Sequence, residues 1–138
     1  VVFVTWEDAQ IFCKWRGGNL PTEAQWEHAA QGDNPGRAHF KQIYNVGSTT
    51  DVGGQRPNSN NLYDMLGNVY EWTLDWYGPY QLENNVLNPT GTTTGKEKGV
   101  RGGAWHSPSH YLRASDRVAK IPEYKYSDVG FRCAYSKK

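Results

Sequence analysis

Aliphatic residues are scarce in this 138-residue chain: Leu, Ile, Val and Phe together number 24, about 17%. That falls below the roughly 20% level at which disorder becomes a fair reading. Disorder also needs a large net charge, and 15 basic residues nearly cancel 14 acidic ones, leaving +1. The same balance gives no reason to expect a nucleic-acid partner. No run approaches the ~18 apolar residues of a membrane helix, so no membrane span is expected. The apolar residues 1–4 are too short for a signal peptide and have no basic residues ahead of them. Cysteine is nearly absent, with only Cys13 and Cys133. Two cysteines leave the redox compartment, and hence the localisation, open. Two buried thiols and a disulfide both fit; closing so long a loop is worth roughly 4–5 kcal/mol in the chain-entropy model.

Aromatic rings fill the gap, with 6 Trp, 9 Tyr and 4 Phe, alongside 15 Gly and 7 Pro. The chain therefore reads as one folded, loop-rich domain over residues 1–138. Its expected core is ring-built, from Trp6, Trp15, Trp26, Trp72 and Phe131. Coiled coils, helical bundles and collagen-like chains are excluded.

Two helix starts open the chain. Thr5 with Asp8, and Thr22 with Gln25, have capping-box spacing. Trp6, Ala9, Phe12 and Cys13 share one face of the first helix, which Gly17-Gly18 ends. Trp26, Ala29 and Ala30 give the second an apolar side, and the short link suggests that the two pack together. A long irregular loop covers residues 33–61. Residues 69–74 read as a strand with Tyr70, Trp72 and Leu74 inward and Glu71 and Thr73 opposite. Residues 100–105 and 129–135 are further strands, the first with a bulge at Gly102-Gly103. Helices first and short strands later describe an α+β domain with its binding surface on loops.

Four segments carry a family resemblance: Leu20-Pro21-Thr22-Glu23-Ala24-Gln25-Trp26-Glu27, Asn61-Leu62-Tyr63-Asp64-Met65-Leu66-Gly67-Asn68-Val69-Tyr70-Glu71-Trp72, Arg101-Gly102-Gly103-Ala104-Trp105 and Gly130-Phe131-Arg132. In this order they resemble the formylglycine-generating enzyme (sulfatase-modifying factor) family. The resemblance implies a C-type-lectin-like fold of two helices, a small twisted antiparallel sheet and long loops. It also implies a disulfide between Cys13 and Cys133. It places a structural calcium on Asp64, Gly67, Val69 and Glu71, hard oxygen ligands of the kind that ion takes. The plainer alternative is that Asp64 caps a turn and Glu71 pairs with an arginine. A second family calcium site would involve Asn45 and Val46, beside a loop that is much shorter here.

The family's enzymes oxidise a substrate cysteine with copper held by two cysteines shortly after the Arg-Gly-Gly segment. Residues 105–113 contain none, so no copper is expected. His106 and His110 have metal-ligand spacing, but Leu112 stands where related iron sites need Glu. Ser107 or Ser109 with His110 and Asp116 could form a hydrolytic relay, but no nucleophile elbow accompanies them. Trp76, Tyr77 and Trp105 could stack on a sugar, yet neither Glu-Pro-Asn nor Gln-Pro-Asp occurs.

Residues 105–128 instead have the texture of a contact surface: Trp105, His106, Ser107, Ser109, His110, Tyr111, Ser115, Asp116, Tyr124, Tyr126, Ser127 and Asp128. Tyr offers broad contact at low entropy cost and Ser adapts its hydrogen bonds. The segment closely resembles the variable region of diversity-generating retroelement proteins. Arg113, Arg117 and Arg132 would then be scaffold, bonding loop carbonyls or acids such as Asp75 and Glu71. The expected function is a non-catalytic module binding an unknown protein or other macromolecule. The alternative is an oxidase or other enzyme of the family with altered ligands.

Overall fold

Both helices of the computed structural model begin at their capping residues; the structure describes residues 1–43, 46–80 and 87–136. In α1 (Trp6–Trp15), Thr5 Oγ1 accepts from the Asp8 N–H and the Asp8 carboxylate accepts from the Thr5 N–H, both at 3.1 Å. Thr22 and Gln25 do the same for α2 (Glu23–Ala30). Each box satisfies two N–H groups that a helix start leaves unpaired. Gly17 turns left-handed (φ 85°) just past the end of α1.

Four strands follow: β1 (Tyr70–Trp76), β2 (Lys98–Arg101), β3 (Val118–Lys120) and β4 (Val129–Gly130). They form one sheet in the order β3-β2-β1-β4. β2 is antiparallel to both β1 and β3, but β4 runs parallel to β1. The sheet is therefore mixed, where an antiparallel one was expected. A parallel neighbour needs a long connection, and residues 77–128, which include β2 and β3, supply it.

β1 is covered on both faces. Tyr70 and Trp72 join Ala9, Cys13, Leu20, Val100 and Val129 in the core beneath α1. Trp26 and Ala30 of α2 pack with Met65 and Leu66 in a second core. Glu71 and Asp75 face α2: Trp26 Nε1 donates to Glu71 at 2.7 Å, and the Glu23 N–H donates to Asp75 at 2.8 Å. The expected alternation thus fails, because Glu71 and Thr73 are buried while Leu74 is only half-buried. The two helices serve different faces of β1 rather than forming a packed pair of their own.

Other boundaries also shift. β2 ends at Arg101 because Gly102 and Gly103 take φ values of 97° and 75°. β4 is only two residues long; beyond it the chain carries one isolated bridge, Ala134 with Asn19. Trp15 is 74% exposed and lies outside the core. Cys13 and Cys133 are joined in a disulfide, Cα atoms 5.3 Å apart. Among the described residues no helix is long and apolar enough to cross a membrane.

Candidate binding surface

Residues 105–128 run from the end of β2 through β3 to the start of β4, and one buried and one half-buried arginine hold their loops in place. Arg101, 1% exposed, donates to the Ala114 and Asp116 carbonyls at 2.8 and 3.4 Å. It also pairs with Glu23 at 2.9 Å and Glu27 at 3.0 Å. Arg117 makes a two-pronged pair with Glu23, at 2.6 and 2.7 Å, and donates to the Gly78 carbonyl. Glu23, at the first turn of α2, is thus shared by two guanidinium groups, a geometry for which Arg is suited and Lys is not. Arg117 lies over the rings of Tyr77 and Tyr80, 4.8 and 4.2 Å from their centroids.

The structure divides the twelve expected surface residues. Ser109, His110, Tyr111, Ser115 and Tyr124 are exposed. Ser109, His110 and Tyr111 form a single 3-10 turn, and the His110 and Tyr111 rings lie 4.4 Å apart. His106, Asp116, Tyr126 and Ser127 are half-buried. Trp105, Ser107 and Asp128 are buried and belong to the frame, which corrects their place on the surface. Ser107 Oγ accepts from the Ala104 N–H at 2.9 Å and donates to the Tyr70 hydroxyl at 3.3 Å. Asp128 lies 3.1 Å from His106 Nε2 and 3.6 Å from Lys120 Nζ. The Tyr126 hydroxyl accepts from the Ile121 N–H, closing the 121–126 turn. Arg113 is exposed and pairs with Asp116 at 2.7 Å, so it is not scaffold.

Burial pushes the Tyr70 phenol above its usual range, so it stays neutral at the floor of this surface. Burial also raises the Asp75 carboxyl, against the Glu23 N–H that lowers it. Among the described residues no three His, Cys, Asp or Glu side chains converge as a metal cluster. Both cysteines are committed to the disulfide.

Asp64, Val69 and Glu71 line one depression together with Arg132. Glu71 Oε2 accepts from Trp26 Nε1 and from Arg132 Nε at 2.6 Å, and Oε1 accepts from Arg132 Nη2 at 2.7 Å. The Asp64 carboxylate accepts from the Gly53 N–H at 2.6 Å. Glu71 therefore pairs with an arginine, as the plainer alternative has it, while one Asp64 oxygen accepts a backbone N–H. Asn45, of the second site, lies outside the described residues.

Sequence reasoning missed Arg101, and with it a cleft beside Arg117. Its volume is about 390 Å³, within the ordinary range of ligand pockets. Glu27 and His28 of α2 face Trp76 and Tyr80 across it. No local signal marked Arg101, because its partners Glu23, Glu27 and Ala114 lie far away in the sequence.

Known proteins bear on this geometry. The sulfatase-modifying factor enzyme 1-like domain matches residues 1–137. The formylglycine-generating enzyme of Mus musculus is 33% identical over 161 residues, covering 97% of this chain and 43% of that protein. The inactive C-alpha-formylglycine-generating enzyme 2 of Mus musculus is 32% identical over 163 residues, covering 99% of this chain and 49% of that protein. The chain thus spans less than half the length of these two relatives. Among solved structures, Treponema denticola variable protein 1 matches with a TM-score of 0.82 at 26% identity, over 95% of this chain and 69% of that one. Two capped helices, a small mixed sheet and four matching sequence segments agree with these likenesses: the chain belongs to the sulfatase-modifying factor enzyme 1-like domain family and has its C-type-lectin-like fold.

Proposed function

We propose that this chain is a non-catalytic binding module whose contact face is built from the exposed part of residues 105–128. One observation carries the reading. Ser109, His110, Tyr111, Ser115 and Tyr124 project from a segment whose backbone is fixed by Arg101 and Arg117, so side chains can change without moving the frame. Tyr77 and Tyr80, stacked on Arg117, extend the face toward the cleft. The likeness to a variable protein supports a face that differs among copies. The pairing of both cysteines supports a role other than copper-dependent oxidation.

The test is a library randomised at those five exposed positions. Its members are expected to melt within about 8 °C of the parent, since exposed substitutions rarely exceed ~0.5 kcal/mol each and five of them add. They are also expected to yield binders to unrelated proteins. A library whose members mostly lose the fold would sink the reading. A reverse-transcriptase gene and a near-copy of the 3′ coding end beside this gene would strengthen it. The second reading, an enzyme of the family with altered ligands, rests on the identity to the mouse enzyme. Turnover of a cysteine-containing sulfatase peptide with Cu(I) and O₂ would favour it.

A further inference from the structure

We propose that the outer face of α1 is a self-association surface that takes a second copy of this chain in antiparallel, two-fold pairing. Ile11, Phe12 and Trp15 lie about one turn apart and are 59, 46 and 74% exposed. They form the side of the helix turned away from the buried Ala9 and Cys13, and with Asp8 they line one shallow depression. The Phe12 ring lies 5.8 Å from Trp15 and 5.6 Å from Phe131. Val1 and Tyr135, both exposed, carry the apolar surface on past Phe12. Clustered exposed rings of this kind mark an interface rather than a solvated face.

The order of charge along α1 selects the partner. Glu7 and Asp8 occupy the first turn and Lys14 the last. Asp8 is engaged by the Thr5 cap and by Lys125. Glu7 and Lys14 are exposed and form no ion pair among the described residues. The residues three and four positions from each of them carry no charge, so the helix offers neither a local partner. They stand on the same flank of the apolar face, two turns and about 10 Å apart, too far to reach each other. An antiparallel copy centred near Ile11 sets each Glu7 opposite the partner's Lys14, so one symmetry operator makes the pair twice. It also opposes the two helix dipoles favourably. Parallel pairing would set Glu7 on Glu7.

Three such side chains and their neighbours make a small interface, below about 1,200 Å² in total, so the pair is expected to be weak and concentration-dependent. The pairing does not depend on what residues 105–128 bind.

Sedimentation equilibrium from micromolar to millimolar chain is the experiment, with a melting curve on each variant to confirm its fold. The parent is expected to pass from monomer to dimer within that range, and Trp15→Ala to stay monomeric. Glu7→Lys and Lys14→Glu are each expected to weaken the dimer about tenfold, because the two-fold axis counts each change twice. The combined Glu7→Lys/Lys14→Glu variant is expected to return to the parent's affinity. Ile11→Ser replaces Trp15→Ala if the latter melts much lower than the parent. A parent that stays monomeric up to millimolar, its α1 face left to another segment or partner, would overturn the proposal. Association that continues past the dimer, a dimer untouched by the α1 variants, or a combined variant as weak as the single ones would overturn it too.

Discussion

Lys98 shows how much one buried charge can shape the behaviour of this protein. Its Nζ donates to the Leu74 carbonyl at 2.9 Å and lies 4.0 and 3.8 Å from the ring centroids of Trp6 and Trp76. Burial pushes its pKa down to about 8, partly opposed by Asp75. The indole faces also favour the ammonium, so the penalty on the charged form is smaller than burial alone would give. Between pH 8 and 10 the unfolded chain therefore holds more protons at this site than the folded one. Stability is expected to rise across that window, by about 1–3 kcal/mol. Above it, the buried Tyr70 phenol, with its raised pKa, begins to cost stability. Urea melts at pH 7, 8.5 and 9.5 should show the rise, and Lys98→Met should remove it; a flat profile in the parent would refute the account. At the same scale, Arg101→Met takes a buried partner from Glu23, which keeps Arg117, and leaves the Ala114 carbonyl without its donor. A loss of about 2–3 kcal/mol is expected by chemical denaturation. Neither residue could be assigned from the sequence, where a lysine or arginine in a strand reads as a solvent-facing charge.

The elements divide cleanly by how local their causes are. Both helix starts are legible because a capping box lies within four residues and needs no partner elsewhere. β3 is not legible: Val118-Ala119-Lys120 is too short for a period and becomes a strand only by pairing with β2. Glu71 and Thr73 mislead for a related reason, since a strand covered on both faces loses its alternation. Trp15 misleads in the other direction: hydrophobicity alone does not say which face of α1 meets the sheet. The Gly102-Gly103 pair was visible as an irregularity, and its role is now specific. A Cβ on Gly102 would lie 2.7 Å from the Met65 carbonyl, and one on Gly103 2.6 Å from Leu112 Cδ2. Both also have positive φ. Gly102→Ala is expected to cost more than the ~1 kcal/mol of a left-handed alanine, because backbone rather than a flexible side chain blocks it. Thermal melting of Gly102→Ala beside Ser109→Gly gives the contrast; equal melting temperatures would contradict it.

For the whole molecule, the disulfide links α1 to the segment after β4 across a sequence separation of 120. Reduction, or the Cys13→Ala/Cys133→Ala double variant, is expected to lower stability by roughly 4 kcal/mol. A denaturant midpoint unchanged by reductant would count against it. The Tyr, Ser and His texture of residues 105–128 is legible in the sequence, but its sorting into exposed and buried members is not. Ser107 is of the same residue type as the exposed Ser109 and Ser115 and differs only in what the fold sets against it.

The parallel pairing of β4 with β1 bears on synthesis. β1 is made near the middle of the chain, while its outer neighbour lies close to the end. On the ribosome, the helices and the β1–β2 pair can form first, but one edge of β1 stays bare until β4 emerges. Residues 105–128 are tied to the sheet at both ends only once β4 has docked, so the order of synthesis leaves that stretch free to settle after the pair that carries it.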